Sequence, residues 1–356
     1  MGVILGVLFH FAGGFASGSF YTPYKKVKGW SWETFWIVGG LFSWLIVPPI
    51  AAYITIPNFA EIINTADFAV LKWTFIMGVL WGIGGFTYGL GVRYLGVSLG
   101  SSVILGLCSV FGAIIPSIYY KYNPAEGKDT ITTLLNESWG QWVLIGLLVC
   151  VIGIIICGKA GGMKDKDLGK SETDKQEFNI GKGLIVAIIS GVLSACFSFG
   201  IEAGSSMATV ANDQWMAANP GQGEFLYRNN VIYIILLWGG LTTNLIGCMF
   251  LNARNKSFGQ YTDNKTPLLK NYVFCAIAGT MWFLQFFFYG MGESKMGNGP
   301  SSWILHMAFI ILVANMWGIV LKEWKGVSKK TTYTIAAGIA AILLSVLIVG
   351  YGNSLK

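Results

Sequence analysis

Apolar runs of close to twenty residues, each ended by a short polar break, recur along the chain at about 2–24, 32–56, 71–92, 96–120, 141–158, 182–204, 228–252, 270–290, 302–321 and 332–350. A helix needs about 20 apolar residues to cross the hydrocarbon core of a bilayer. The runs are continuous and do not alternate at every second residue. Of the two structures that satisfy their backbone inside lipid, this selects helices over a barrel. The pattern predicts an all-α polytopic membrane protein with ten transmembrane helices. Its strongest polar breaks fall at 121–140, 159–181, 205–227 and 253–269.

The most charged break, GGMKDKDLGKSETDKQEFNIGKG (161–183), parts five runs from five. An odd number per half turns the second half over in the membrane, the inverted-repeat plan of many secondary transporters. The expected organisation is a first five-helix repeat over 1–158, a cytoplasmic charged linker over 159–181, and a second five-helix repeat over 182–356. Internal similarity fits this plan. WGIGGFTYGLGVRYLG (81–96) and WFLQFFFYGMGESKMG (282–297), offset by 201 positions, align Trp81 with Trp282 and Tyr88 with Tyr289. They also align Gly89, Gly91 and Gly96 with Gly290, Gly292 and Gly297. GFASGSF (14–20) against GVLSACF (191–197) adds weaker support.

Composition removes the soluble alternative. Hydrophobic residues make up 54% and charged residues 12%, against about a quarter charged in soluble domains. The net charge of +7 reads as topology. Eighteen of the 24 Lys and Arg fall in one set of alternate loops and six in the other set with both termini. The positive-inside rule then puts the first set in the cytoplasm and both termini outside. Nucleic acid is not needed to explain the charge. The six cysteines lie inside apolar runs without metal-ligand spacing and read as small buried hydrophobes. The first run has no basic segment before it and reads as a retained span, not a cleaved signal.

Few polar side chains enter the runs: His10, Glu202, Gln285, His306, Asn244 and Asn315. A charge near a helix centre costs about 2.5–3.5 kcal/mol on insertion scales, so such residues are functional candidates. At about 1.5 Å per residue, His10 lies ~12 Å below the outer surface, and Gln285 and His306 lie ~6–8 Å below it. Three helices thus present polar groups at overlapping depth, as a shared pocket requires. Competing readings remain. Any of these side chains can simply bond a neighbouring helix, and Glu202 can snorkel outward. Glu33 reads as a helix-start cap, and Trp30, Trp32 and Trp36 as interfacial-belt residues.

MWFLQFFFYGMG (281–292) sets one amide, Gln285, in an aromatic wall. Rings that cover the C–H face of a sugar, with an amide, imidazole or phenol for its hydroxyls, suit a neutral sugar. Trp81, Tyr88, Trp282, Gln285, Tyr289 and Trp303 are the candidate substrate contacts. No Arg or Lys lies deep enough to hold a carboxylate. Imidazole titrates near neutral pH, so His10 and His306, with Glu202, are the candidates for proton coupling. Nothing here has the spacing of a metal site or a nucleophile, so neither an enzyme nor a cofactor is expected.

The blocks FYTPYKKVKGWSWETFW (20–36), WGIGGFTYGLGVRYLGVSLG (81–100), EFNIGKGL (177–184), WFLQFFFYGMG (282–292), SSWILHM (301–307) and VLKEW (320–324) are similar to blocks of the bacterial L-rhamnose–proton symporter family, in the drug/metabolite transporter superfamily. Span 4 and the outer loop 205–227 depart from the family's pattern. The resemblance implies a cavity between spans 1, 3, 4 and 6, 8, 9, with spans 5 and 10 at the periphery. It also implies proton-coupled uptake of the 6-deoxy sugar L-rhamnose across the bacterial inner membrane. The alternative from the same superfamily is an exporter or exchanger of another small neutral metabolite. The expected partners are sugar, proton and lipid bilayer; oligomeric state is left open.

Overall fold

The computed structural model describes residues 2–95, 97–124, 127–169, 180–297, 299–320 and 324–356. The described residues form helices and connecting turns and contain no strand. Among the described residues, eight helices are long and apolar enough to cross a membrane. In chain order the long helices are α1 (Gly2–Ser19), α2 (Trp32–Thr55), α3 (Phe68–Leu95), α4 (Val97–Tyr122), α5 (Ser138–Asp167), α6 (Ile180–Ala203), α7 (Asn230–Asn255), α8 (Leu268–Met296), α9 (Gly299–Val320) and α10 (Lys329–Ser354). Helices α4 and α9 are of comparable length, and α9 carries the described apolar stretch Ser301–Val313.

Most boundaries fall within a few residues of the apolar runs. The exceptions are informative. Helix α5 runs on to Asp167, through the first residues of the charged linker, and α8 runs to Met296, a turn and a half past the expected end. Charged residues can extend a helix beyond the bilayer because water then solvates their side chains. The rest of the linker, 170–179, lies outside the described residues. The polar break at 205–227 is itself mostly helical, over Ser205–Ala218.

Helix α2 is the irregular one. Its middle, Leu41–Ile46, is π-helical, and the Val47 N–H bonds the Phe42 carbonyl five residues back. The cause is local: Pro48 and Pro49 have no N–H, so the carbonyls of Trp44 and Leu45 cannot accept the usual i+4 bonds. The widened turn presents Trp44 to the bundle interior, where it is buried.

Glycine notches set the closest helix crossings. A Cβ on Gly78 of α3 would overlap the Leu236 carbonyl of α7, and one on Gly239 of α7 would overlap the Phe75 carbonyl of α3. Helix α1 packs on α8 and α9, α6 packs on α3 and α4, and α5 and α10 pack mainly on each other. Small residues let membrane helices approach until dispersion and weak polar contacts hold them, since lipid supplies no hydrophobic drive.

Candidate functional site

His10 of α1, Tyr289 of α8 and His306 of α9 meet inside the bundle. Ring centroids stand 5.5 Å apart for His10 and Tyr289, 5.3 Å for Tyr289 and His306, and 6.1 Å for the two imidazoles. All three rings are buried, and no described residue hydrogen-bonds any of the four imidazole nitrogens. Missing side chains make the room. A Cβ on Gly292 would stand 2.6 Å from His10 Nε2, and one on Gly13 would stand 3.2 Å from His306 Cε1. Trp303 closes the group 5.9 Å from Tyr289, its indole N–H donating to the Cys108 carbonyl of α4 at 3.1 Å.

An aromatic wall continues from this cluster. Phe286 lies 6.3 Å from His306 and 5.1 Å from Trp282. Trp282 in turn meets Trp81 of α3 at 5.5 Å and Trp44 of α2 at 5.7 Å. A small void borders the wall beside Ser43, Trp36 and Tyr24. Gln285 is buried in the same helix, and its amide N–H donates to the Trp282 carbonyl at 2.9 Å, one turn back in α8.

Five of the six candidate substrate contacts therefore lie in or beside one aromatic cluster, together with both histidines. Tyr88 does not: it packs against Ile104 and Ala187. Glu202 lies elsewhere too, in a cavity of about 330 Å³ at the end of the bundle that carries both termini. There its carboxylate accepts from the Tyr120 hydroxyl and pairs with Lys128. The side chain is held in place and does not snorkel. Arg228, Glu224, Asp129, Asn229 and Glu293 also line this vestibule. The Glu293 carboxylate accepts from the Asn229 amide at 2.6 Å.

The opposite end is closed by polar contacts between α2 and the turn after α7. Gln260 Oε1 accepts from the Ser31 N–H at 2.7 Å and the Thr34 hydroxyl at 2.9 Å. Glu33 is in the first turn of α2, but its carboxylate accepts from Ser257 at 2.7 Å and Asn255 at 3.0 Å. It ties two elements together instead of only capping one. Asn244 behaves as interhelical glue, accepting from the Trp36 indole at 3.0 Å. The Asn315 side chain lies outside the described ones.

Comparison with known proteins decides the family. The model for the L-rhamnose-proton symport protein (RhaT) matches residues 1–355. The chain belongs to that family. Proteins named L-rhamnose-proton symporter from Yersinia pestis (strain Pestoides F) and from Pectobacterium carotovorum subsp. carotovorum (strain PC1) are each 36% identical over 355 residues, covering 98% of both chains. One solved crystal structure superposes with a TM-score of 0.48 at 11% identity, over 97% of this chain and 96% of its own.

Two features of this family member escaped the reading of its sequence. Trp44 sits in a run that reads as an ordinary span, and the paired prolines that follow it were the available signal. Glu293 lies past the expected end of span 8, where the pattern predicts a loop. Continuation of α8 to Met296 places it one turn beyond Tyr289.

Proposed function

We propose that this RhaT-family protein takes up L-rhamnose by symport with protons. The observation that carries the reading is the buried His10–Tyr289–His306 cluster, set against an aromatic wall and built from both halves of a chain that matches the family over its whole length. Trp81, Trp282 and Trp303 offer apolar faces to the sugar ring, and Tyr289 and Gln285 offer hydroxyl and amide partners. Gln285 reaches the sugar by exchanging its bond to the Trp282 carbonyl for one to a hydroxyl. The imidazole pair carries the coupling charge, while Glu202 braces the vestibule wall. Tyr88 mirrors Tyr289 in the other half and does not touch the sugar in this conformation.

The protein works as ten spans in two inverted repeats, 1–158 and 182–356, joined by a cytoplasmic linker. The helix pairings support that plan. Exchanging each helix for the one five later turns the α1–α8 contact into the α6–α3 contact, and the α1–α9 contact into α6–α4. It likewise turns α3–α7 into α8–α2, and α5–α10 maps onto itself. The protein sits in the bacterial inner membrane with both termini outside, so the vestibule faces the periplasm. At about 330 Å³ the vestibule is at the small end of the ~300–1,000 Å³ typical of ligand pockets. One charge moved through 100 mV releases about 2.3 kcal/mol, enough for roughly 50-fold accumulation of a neutral sugar.

The test uses purified protein in sealed proteoliposomes loaded with a pH dye. Adding L-rhamnose outside is expected to acidify the lumen, while sugars that are not substrates leave the dye unchanged. Rhamnose flux without a proton signal would make the protein a uniporter. Alkalinisation of the lumen on sugar addition would make it an exchanger.

A further inference from the structure

Charge in the vestibule does not balance pair by pair. Glu202 pairs with Lys128, Glu224 with Arg228 at 3.1 Å, and Asp129 with Lys356 at 3.0 Å. Glu293, on the wall of the same cavity, takes part in no ion pair among the described residues; its one hydrogen bond comes from the neutral Asn229 amide. An ionised carboxylate in a protein wall at the membrane edge is costly without a cation, and a proton removes that cost. The other groups around it do not take this role. Tyr233 of α7, with its hydroxyl near Gly290, is a phenol without a hydrogen-bond partner among the described residues. The Tyr120 phenol is engaged by Glu202.

Position supplies the second argument. Glu293 follows Gly292, whose missing Cβ leaves space for His10 Nε2, and it lies one turn along α8 from Tyr289, which touches both imidazoles. Glu293 thus lines the cavity from the same stretch of α8 that meets a fully buried histidine pair.

Resting on the symport reading, we propose that Glu293 is the proton-loading site of the transporter, taking a proton from the vestibule before it reaches the imidazole pair. The carboxylate gains the proton from vestibule water and becomes a neutral acid. It then passes the proton to an imidazole, which becomes imidazolium as the carboxylate is restored. Lys128 and Arg228 pair with Glu202 and Glu224, so they act on Glu293 across a distance and not through an ion pair.

The experiment compares wild type and Glu293→Gln in proteoliposomes, with two readouts. One is rhamnose-driven lumen acidification. The other is counterflow of labelled against unlabelled L-rhamnose, which requires no net proton movement. The expected result is loss of acidification with counterflow retained. Acidification at the wild-type level overturns the proposal and leaves symport standing. Loss of counterflow in a folded variant also overturns it, by making Glu293 a sugar ligand. A wild-type protein that exchanges rhamnose without moving protons overturns both readings. If Glu293→Gln is not recovered folded, Glu293→Asp decides: a displaced pH profile of acidification supports the site, and a profile superimposable on wild type overturns it.

Discussion

Four imidazole nitrogens buried without partners among the described residues are an expensive feature, since an unsatisfied buried polar group costs about 1–3 kcal/mol. A purely structural residue at either position would be better replaced by a hydrocarbon. The substitution His306→Leu is therefore expected to leave the melting temperature unchanged or raised, while proton-driven accumulation of rhamnose is lost. A fall in melting temperature with accumulation intact would assign His306 to packing. Gly292 gives a complementary probe. Gly292→Ala would push its Cβ into His10 Nε2 and is expected to cut accumulation several-fold in protein that still elutes as a folded species. Both histidines and Gln285 could be read from the sequence because isolated polar groups stand out in apolar runs. Glu293 could not, because nothing in GMGESKMG distinguishes a helical turn lining a cavity from a polar loop.

At the scale of the element, two helix pairs decide how the bundle holds together. The α3–α7 crossing depends on Gly78 and Gly239 meeting each other's helix backbone, which cannot yield as a flexible side chain can. Gly239→Ala is expected to destabilise by about 1–3 kcal/mol through overpacking, whereas Gly85→Ala, with nothing within 4 Å of the new Cβ, is expected to be neutral or better. Thermal unfolding in one detergent distinguishes them. The α5–α10 pair carries a tether at one end, where Asp167 accepts from the Ser328 N–H at 2.9 Å and the Thr331 hydroxyl at 2.5 Å, at the start of α10. These bonds, that from Thr331 first, hold the Asp167 carboxyl below its ordinary range. A depressed folded value stabilises above the unfolded pKa, and that contribution disappears as pH falls through the folded one. Asp167→Asn is thus expected to flatten the acid side of the stability–pH curve, measured as melting temperature across an acidic pH series.

For the whole molecule, the vestibule opens at the end with both termini, while Glu33, Thr34, Ser257 and Gln260 lock the other end. That asymmetry predicts accessibility. All six native cysteines are buried, so a cysteine introduced at Thr209 reports on the vestibule with little background. In intact cells a membrane-impermeant maleimide is expected to label Thr209→Cys and not Asn264→Cys, an exposed position in the turn after α7, and L-rhamnose is expected to slow the labelling of Thr209→Cys. Labelling of Asn264→Cys alone would invert the proposed orientation.

The apolar runs alone determined an all-helical membrane protein and the approximate bounds of its long helices, because the cost of exposing backbone or charge to lipid is local and shows in every twenty-residue stretch. The charge bias of the loops, equally local, set the expected orientation. Family membership was legible for a similar reason, since its blocks are continuous segments such as WFLQFFFYGMG. The tertiary structure decided what contact between distant segments decides. It brought Trp44 against Trp282, separated Tyr88 from Tyr289's cluster, and gathered Lys128, Glu202, Arg228 and Glu293 around one cavity. Those residues come from four separate parts of the chain, and only the packing of the helices sets which charges are paired and which one is left over.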